Sequence, residues 1–156
     1  MDAWNYRSNE HGSISLHDCK ITDATFCEDI ILSFQDGFDV TAENSLNRTG
    51  RHKHTGRAAV ILKHGIYRDG FFIKPMLDGT YSKEDKLLKD KIVHHDIEVL
   101  TFDYNCQRNQ FTIEGCPWED ATQYIECCLH FTCDEIVFCW NEFVQDAWFQ
   151  DWPPKD

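Results

Sequence analysis

The sequence predicts a mainly β protein: a single-domain antiparallel β-sandwich or open barrel of about 8–9 strands. Three observations indicate this class. Apolar and polar residues alternate with a period of two, turn signals containing Gly separate the runs, and helical periodicity is rare. Hydrophobic residues make up 42% of the 156 residues and aromatic residues 13%, which is enough for a folded core. Because no repeat or linker-like stretch interrupts the pattern, we expect one domain over residues 1–156.

The clearest strand is predicted over residues 122–133, where one face is apolar and the other carries polar side chains. Asp134 and Glu135 predict a turn into a hairpin partner at 136–140. The run 92–104 changes phase between Val99 and Leu100, which predicts a β-bulge or a strand that crosses between sheets. Further strands are predicted at 13–21, 29–34, 38–42, 58–64, 70–74 and 110–115, with tight hairpin turns at Asp36-Gly37 and Asp69-Gly70.

Two short helices are predicted. Ser82 and Asp85 resemble a capping box, so residues 83–90 are expected to form a short exposed helix. Residues 142–150 place apolar side chains at i, i+4 spacing, as in Phe143 and Ala147, and this predicts a short C-terminal helix.

The eight cysteines are expected to be free thiols, mostly in the core. The first residues lack the basic start and apolar stretch of a signal peptide, and no apolar run reaches membrane-spanning length. These features predict a cytoplasmic protein without a membrane anchor, in which thiols stay reduced.

No CxxC pair occurs, and no metal site or cofactor is predicted. His17 and Cys19 would share a strand face, but their spacing is poor for a catalytic pair.

Charge is uneven along a chain of net charge -12. Residues 48–94 hold eleven basic and five acidic side chains, whereas the residues on either side are strongly acidic. The densest basic stretch is RTGRHKHTGR, residues 48–57, which we interpret first as an exposed loop partly neutralised by acidic neighbours. Alternatively it binds a phosphate or an acidic partner through its cationic and imidazole side chains, which are Arg48, Arg51, His52, Lys53, His54 and Arg57. Nucleic acid is disfavoured, because the acidic remainder repels a polyanion and no aromatic residue lies in the run.

Two further sets of side chains are candidate sites. The polar face of the strand over 122–133 carries three groups that can bind a ligand, Glu126, Cys128 and His130. Those three span about 13 Å, too far for one metal ion. Aromatic residues are abundant outside the central strands and predict a docking surface for a partner, formed by Trp4, Tyr6, Trp118, Trp148 and Trp152.

The sequence therefore favours a non-enzymatic protein-interaction module of the inhibitor or immunity type, which presents acidic and aromatic surface to a basic protein. No catalytic residues are assigned. The alternative is a β-barrel or sandwich pocket for a small ligand, with or without catalysis. In that case the polar strand face over 122–132 would line the pocket, and the basic run 48–57 would lie at its mouth.

Overall fold

The computed structural model describes residues 3–84, 96–117 and 124–152. They form three antiparallel sheets that pack as a sandwich, with no closed barrel among them. The predicted mainly β sandwich is therefore confirmed. The strands number fifteen over the described ranges, more than predicted, because several are only two or three residues long. One short 3-10 turn, His11–Ser13, lies between β1 (Tyr6–Ser8) and β2 (Ile14–Ser15). Within the described part of the chain, no helix is both long and apolar enough to cross a membrane.

Each sheet joins strands that are distant in sequence. The five-stranded sheet has the order β1, β14 (Glu135–Trp140), β8 (Ala58–Lys63), β5 (Ile30–Phe34) and β4 (Asp23–Phe26). The six-stranded sheet has the order β10 (Tyr81–Glu84), β9 (Ile66–Pro75), β13 (Glu126–Thr132), β12 (Gln110–Pro117), β11 (Ile97–Asn105) and β3 (Lys20–Ile21). The four-stranded sheet has the order β15 (Phe143–Asp146), β7 (Lys53–Thr55), β6 (Asp39–Val40) and β2.

The core follows from the period-two pattern of these strands. Alternate residues of β5, β12 and β13 are buried, so each strand turns one apolar face inward. In β13 the buried residues are Cys127, Leu129 and Phe131, which confirms the apolar face predicted for this strand. Seven large aromatic side chains are fully buried and fill the sandwich: Trp140, Phe34, Phe38, Phe72, Phe111, Phe131 and Phe138. Burial of such side chains stabilises the fold by about 1.5–3 kcal/mol each.

The phase change predicted near residue 99 is a bulge. The pairing of β11 with β12 shifts register between Val99 and Thr101. Leu100 is the extra residue and is exposed, while Phe102 resumes the inward face and packs on Phe111. The bulge therefore keeps apolar residues on the inner face on both sides of the slip.

Two of the predicted turns are misplaced. Asp69 and Gly70 lie inside β9, where a register shift against β13 accommodates them, and the turn falls instead at His64-Gly65. The predicted hairpin across Asp134 is also wrong, because β13 belongs to the six-stranded sheet and β14 to the five-stranded one. Sequence alternation identifies the strands but does not tell which sheet the chain enters after a turn.

The predicted C-terminal helix over 142–150 is wrong. Phe143–Asp146 forms β15 and pairs with β7, and two overlapping turns follow it. The neighbouring strand supplies backbone partners, and Phe143 and Val144 favour extended structure, so sheet pairing overrides the i, i+4 spacing. The predicted helix over 83–90 falls mostly outside the described residues. Its first two residues, Lys83 and Glu84, end β10.

Candidate functional site

The basic run 48–57 contacts the C-terminal segment of the chain. Lys53–Thr55 forms β7, which pairs with β6 on one side and β15 on the other. The exposed-loop interpretation is therefore wrong for residues 53–55, because sheet neighbours on both sides use their backbone groups. Residues 48–51 are exposed, as expected for a loop.

Two cations of this run share one carboxylate of the C-terminal segment. Asp146 Oδ1 lies 2.8 Å from Lys53 Nζ, and Asp146 Oδ2 lies 2.9 Å from Arg51 Nη2. Hydrogen bonds from Arg51 and then Lys53 hold the pKa of Asp146 below its usual range, at about 2. Arg51 Nη2 also lies 3.5 Å from Asp151 Oδ1. The basic run therefore anchors β15 and the turns that follow it.

His52 makes the next set of contacts to the same segment. The Ala147 N–H donates to the His52 carbonyl at 2.9 Å, and the His52 N–H donates to the side chain of Gln150. The His52 ring lies 5.2 Å from the ring of Phe149, and its Nδ1 accepts a hydrogen bond from the Ala42 N–H at 2.9 Å. These contacts hold the backbone around Trp148 in place.

We call the group formed by the exposed His17, Trp148 and Trp152 and the partly buried Phe149 the aromatic platform. Trp148 is 50% exposed and Trp152 is 66% exposed. Their rings meet nearly at right angles, with centroids 5.0 Å apart and an interplanar angle of 86°. The ring of Trp148 also lies 5.3 Å from Phe149 and 6.1 Å from His17. The exposed indoles of Trp148 and Trp152 thus meet at a right-angled corner that is open to solvent. The segment that carries them is held in place by Arg51, His52 and Lys53.

Acidic side chains lie beside the aromatic platform. Asp18 follows His17 in the chain, and its Oδ1 lies 3.4 Å from His17 Nε2. Asp151 precedes Trp152 and has a side chain that is 89% exposed. His17 Nδ1 lies 2.7 Å from the Leu100 carbonyl, to which it donates, so the ring is held in place. We call Asp18 and Asp151 the acidic rim of the platform.

Replacing Asp146 by asparagine is expected to loosen the platform without unfolding the protein. The depressed pKa means that the carboxylate stabilises the fold fully above pH 3.8, its ordinary value, and that this contribution is lost as the pH falls through about 2. The difference in unfolding free energy between wild type and Asp146→Asn should therefore be constant above about pH 4 and vanish near pH 2. Denaturant unfolding at several pH values measures it.

Asp103→Asn is the matched control, because Asp103 is an exposed strand carboxylate without an ion pair among the described residues. Its difference from wild type should stay within about 0.5 kcal/mol. Hydrogen exchange of the Ala147 amide should speed up in Asp146→Asn and not in the control. Equal exchange in both variants would contradict the anchoring role of Asp146.

His54 and Asp39 form an ion pair between β7 and β6, in which the carboxylate is 1% and the imidazole 22% exposed. His54 Nδ1 lies 2.7 Å from Asp39 Oδ1, and His54 Nε2 lies 2.5 Å from the Asp36 carbonyl. Both ring nitrogens face acceptors, and donating to both requires the protonated imidazole, so these contacts favour the cationic form. The hydrogen bond to Asp39 raises the pKa of His54, although burial opposes it. Asp39 and the Asp36 carbonyl occupy both ring nitrogens of His54, so a ligand at His54 would have to displace one of these contacts.

The other candidates in the two predicted sets lie apart from the platform. The Arg57 guanidinium lies 4.7 Å above the ring of Trp4, which packs on the outer side of the five-stranded sheet. Tyr6 stacks on Trp140 at 5.5 Å and belongs to the edge of the core. Arg48 is exposed and makes no ion pair within the described ranges. Trp118 lies outside the described residues.

The polar face of β13 brings two of its three predicted residues into contact. Cys128 Sγ lies 3.5 Å from His130 Nε2, and Thr112 Oγ1 lies 3.2 Å from His130 Nδ1. Asp69 Oδ1 lies 3.8 Å from His130 Nε2, beside a shallow groove of about 260 Å³ that also borders Thr112. Glu126 is exposed on the same face and has no ion pair or hydrogen bond from its side chain among the described residues.

The chemistry of these thiols disfavours nucleophilic catalysis. Burial, and then the charge of Glu114 and Asp69, raises the pKa of Cys128. Burial also raises the pKa of Cys19 to about 12, and its Sγ faces backbone carbonyls instead of His17. A thiol that resists ionisation is a weak nucleophile at neutral pH. Every cysteine is a free thiol, and no group of three or more His, Cys, Asp or Glu side chains within residues 3–84, 96–117 and 124–152 could hold a metal ion.

Sequence reasoning named Trp148 and Trp152 but missed His17, Asp18 and Asp151 as their neighbours. It considered His17 only as a partner for Cys19. No local pattern connects residue 17 to residue 148, because the contact depends on which strands neighbour one another. No protein-family model, curated protein or solved structure matches the chain.

Proposed function

We propose that this protein is a non-enzymatic interaction module that binds a basic protein through the aromatic platform and its acidic rim. The observation that carries the proposal is the corner of two exposed indoles, Trp148 and Trp152, on a segment braced by Arg51, His52 and Lys53. Exposed tryptophans are typical hot spots of protein interfaces. A braced surface loses little conformational entropy on binding, which favours affinity.

Charge supports a basic partner. A net charge of -12 attracts cationic proteins over long range and speeds their encounter with the chain. Near the platform, Arg51 and Lys53 pair with Asp146. Arg51 also lies 3.5 Å from Asp151, yet the side chains of Asp18 and Asp151 stay 52% and 89% exposed. A stoichiometric inhibitor of a basic enzyme, acting in the cytoplasm, is the form of this function that we favour.

A small-ligand site on the face of β13 is the second candidate. The Cys128–His130 contact and the groove beside it favour this alternative. However, no hydrogen bond, ion pair or ring contact among the described residues joins the basic run to that groove. A ligand there would contact Thr112, His130 and Arg68 without help from residues 48–57.

The proposal is tested with the whole chain as bait in a native extract. Bound proteins are identified by mass spectrometry and quantified for wild type, for the double variant Trp148→Ala/Trp152→Ala, and for Tyr81→Ala. Tyr81 is 68% exposed, so its variant removes an equally exposed aromatic ring far from the platform in sequence. The expected result is a basic protein retained by wild type and Tyr81→Ala but lost by the double variant.

Salt provides the second readout. Retention of that protein should fall as the salt concentration rises from about 50 mM to about 300 mM, because exposed charges are screened. A retained protein that is acidic, or that the double variant binds as well as wild type does, would contradict the proposal.

A further inference from the structure

We infer that the corner between Trp148 and Trp152 is a seat for an arginine side chain of the basic partner. The inference rests on the proposed function and adds the chemical group that the platform recognises. It depends on the arrangement of the two rings, on the acidic residues beside them, and on a comparison with two other aromatic rings of the chain that have a cation over them.

The two indoles meet edge to face, so that the edge of one covers part of the face of the other and their planes form a right-angled corner. At an interplanar angle of 86° and a centroid separation of 5.0 Å, a flat cation can stack on one indole while its edge meets the other. Tryptophan gives the strongest cation–π attraction of the aromatic side chains. Because Trp148 and Trp152 are half or more exposed, the corner is open to a group from another molecule.

Two partly exposed rings elsewhere, Trp4 and Phe71, each have a cation of the chain over them. Arg57 lies 4.7 Å above Trp4, and Lys83 Nζ lies 4.0 Å above Phe71. Within the described ranges, no cation lies over Trp148 or Trp152. Arg51, which contacts this segment, pairs with Asp146 and Asp151 instead. The indole corner is therefore a cation site that the described chain does not fill itself.

The acidic rim favours arginine over lysine. A guanidinium is planar, so it can stack on an indole while its edge N–H groups donate to a carboxylate. Asp151 and Asp18 adjoin Trp152 and His17 in the chain, and both side chains are more than half exposed. An ammonium group is a compact and strongly hydrated charge, and it cannot stack. The partner should thus present an arginine flanked by small residues that let it reach the corner.

Short peptides test this inference without the natural partner. The probe is a Gly/Ser peptide with two arginines. One control peptide carries citrulline, which keeps the planar shape of arginine but has no charge. The other carries lysine, which keeps the positive charge but lacks a planar guanidinium group. Binding is followed by NMR through the indole N–H signals of Trp148 and Trp152, with Trp4 as the internal reference. We expect the arginine peptide to shift the two platform signals and to bind at least about fivefold more tightly than either control.

Asp151→Asn and Asp18→Asn should each weaken the arginine peptide about two- to fivefold, because each removes one charge-assisted acceptor. Equal binding of the arginine and citrulline peptides would overturn the inference, as would shifts confined to residues away from the platform. If no peptide binds, yet the captured basic protein binds wild type and not Trp148→Ala/Trp152→Ala, the arginine seat is wrong and the proposed function stands. If neither binds at the platform, both are wrong.

Discussion

Replacing Asp39 by alanine is expected to lower the free energy of unfolding by about 3–5 kcal/mol near pH 6, the cost of leaving one member of a buried ion pair alone. Asp39 is 1% exposed and holds His54 at 2.7 Å. His54 lies in β7 between Lys53, which binds Asp146, and Thr55, which pairs with Phe143. Loss of Asp39 should therefore also weaken the attachment of the C-terminal segment.

The pH dependence identifies His54 as the partner. Because its folded pKa is raised, the pair contributes fully below the ordinary histidine value of 6.5 and loses that contribution as the pH rises through the folded pKa. The deficit of Asp39→Ala should consequently shrink as the pH rises above the ordinary histidine value of 6.5. The carboxylates next to His64 also raise its pKa, but His64 titrates alike in both proteins and cancels in the difference.

Denaturant unfolding at several pH values measures both effects. The double variant Asp39→Ala/His54→Gln serves as the reference, since it removes the pair as a unit and should lack most of the pH dependence. A deficit below about 1 kcal/mol near pH 6, or one that is unchanged at high pH, would contradict the charged pair.

Replacing Gly37 by alanine is expected to destabilise the protein by at least about 2 kcal/mol. Gly37 has φ +81, a conformation that costs a residue with a Cβ roughly 1–2 kcal/mol. An added Cβ would also lie 2.2 Å from the Thr55 carbonyl oxygen and 2.4 Å from that of Gly56. Backbone oxygens cannot move aside as a side chain can, so β6 and β7 would have to separate.

Gly12→Ala is the matched control for this effect. Gly12 has no heavy atom within 4 Å of an added Cβ, and it lies in the short 3-10 turn without a positive φ. Its unfolding free energy should stay within about 0.5 kcal/mol of wild type. Similar stability of Gly37→Ala and Gly12→Ala would show that the turn before β6 is not as tight as described.

Local patterns predicted the strands well because alternation reports burial directly. The inner face of β13 and the slip at Val99 follow from period-two reasoning, and both are confirmed. The positive φ of Gly37 was predicted for the same local reason, that glycine adopts it at little cost. None of these features needs knowledge of the neighbouring strand. The hairpin predicted at Gly37 is wrong, because β5 and β6 belong to different sheets.

The failures depend on contacts between distant parts of the chain. The apolar residues of 142–150 have helical spacing, but residues 143–146 pair with β7. The local sequence gives no sign of that neighbouring strand. The basic run looked like a loop for the same reason, since its acidic partners Asp39 and Asp146 lie far along the sequence. Charge bias correctly suggested neutralisation by acidic neighbours, although not which acids.

The sequence predicted only some of the residues of the aromatic platform. Abundance of aromatic residues near the chain ends singled out Trp148 and Trp152, yet equally suggested Trp4 and Tyr6, which have partners within the fold. Only the structure shows that Trp148 and Trp152 are the more exposed pair, at 50% and 66% against 37% for Tyr6. Exposure combined with bracing by Arg51 and His52, and not aromatic content alone, makes residues 148–152 the candidate docking surface.

The most direct measurement is the affinity of the captured basic protein for the wild-type chain and for Trp148→Ala/Trp152→Ala by calorimetric titration at two salt concentrations. We expect the double variant to bind at least about thirtyfold more weakly, equivalent to the roughly 2 kcal/mol of a hot spot, with its unfolding free energy unchanged. Tyr81→Ala should bind as wild type does. Equal affinity of the double variant and wild type would contradict the aromatic platform as the docking surface.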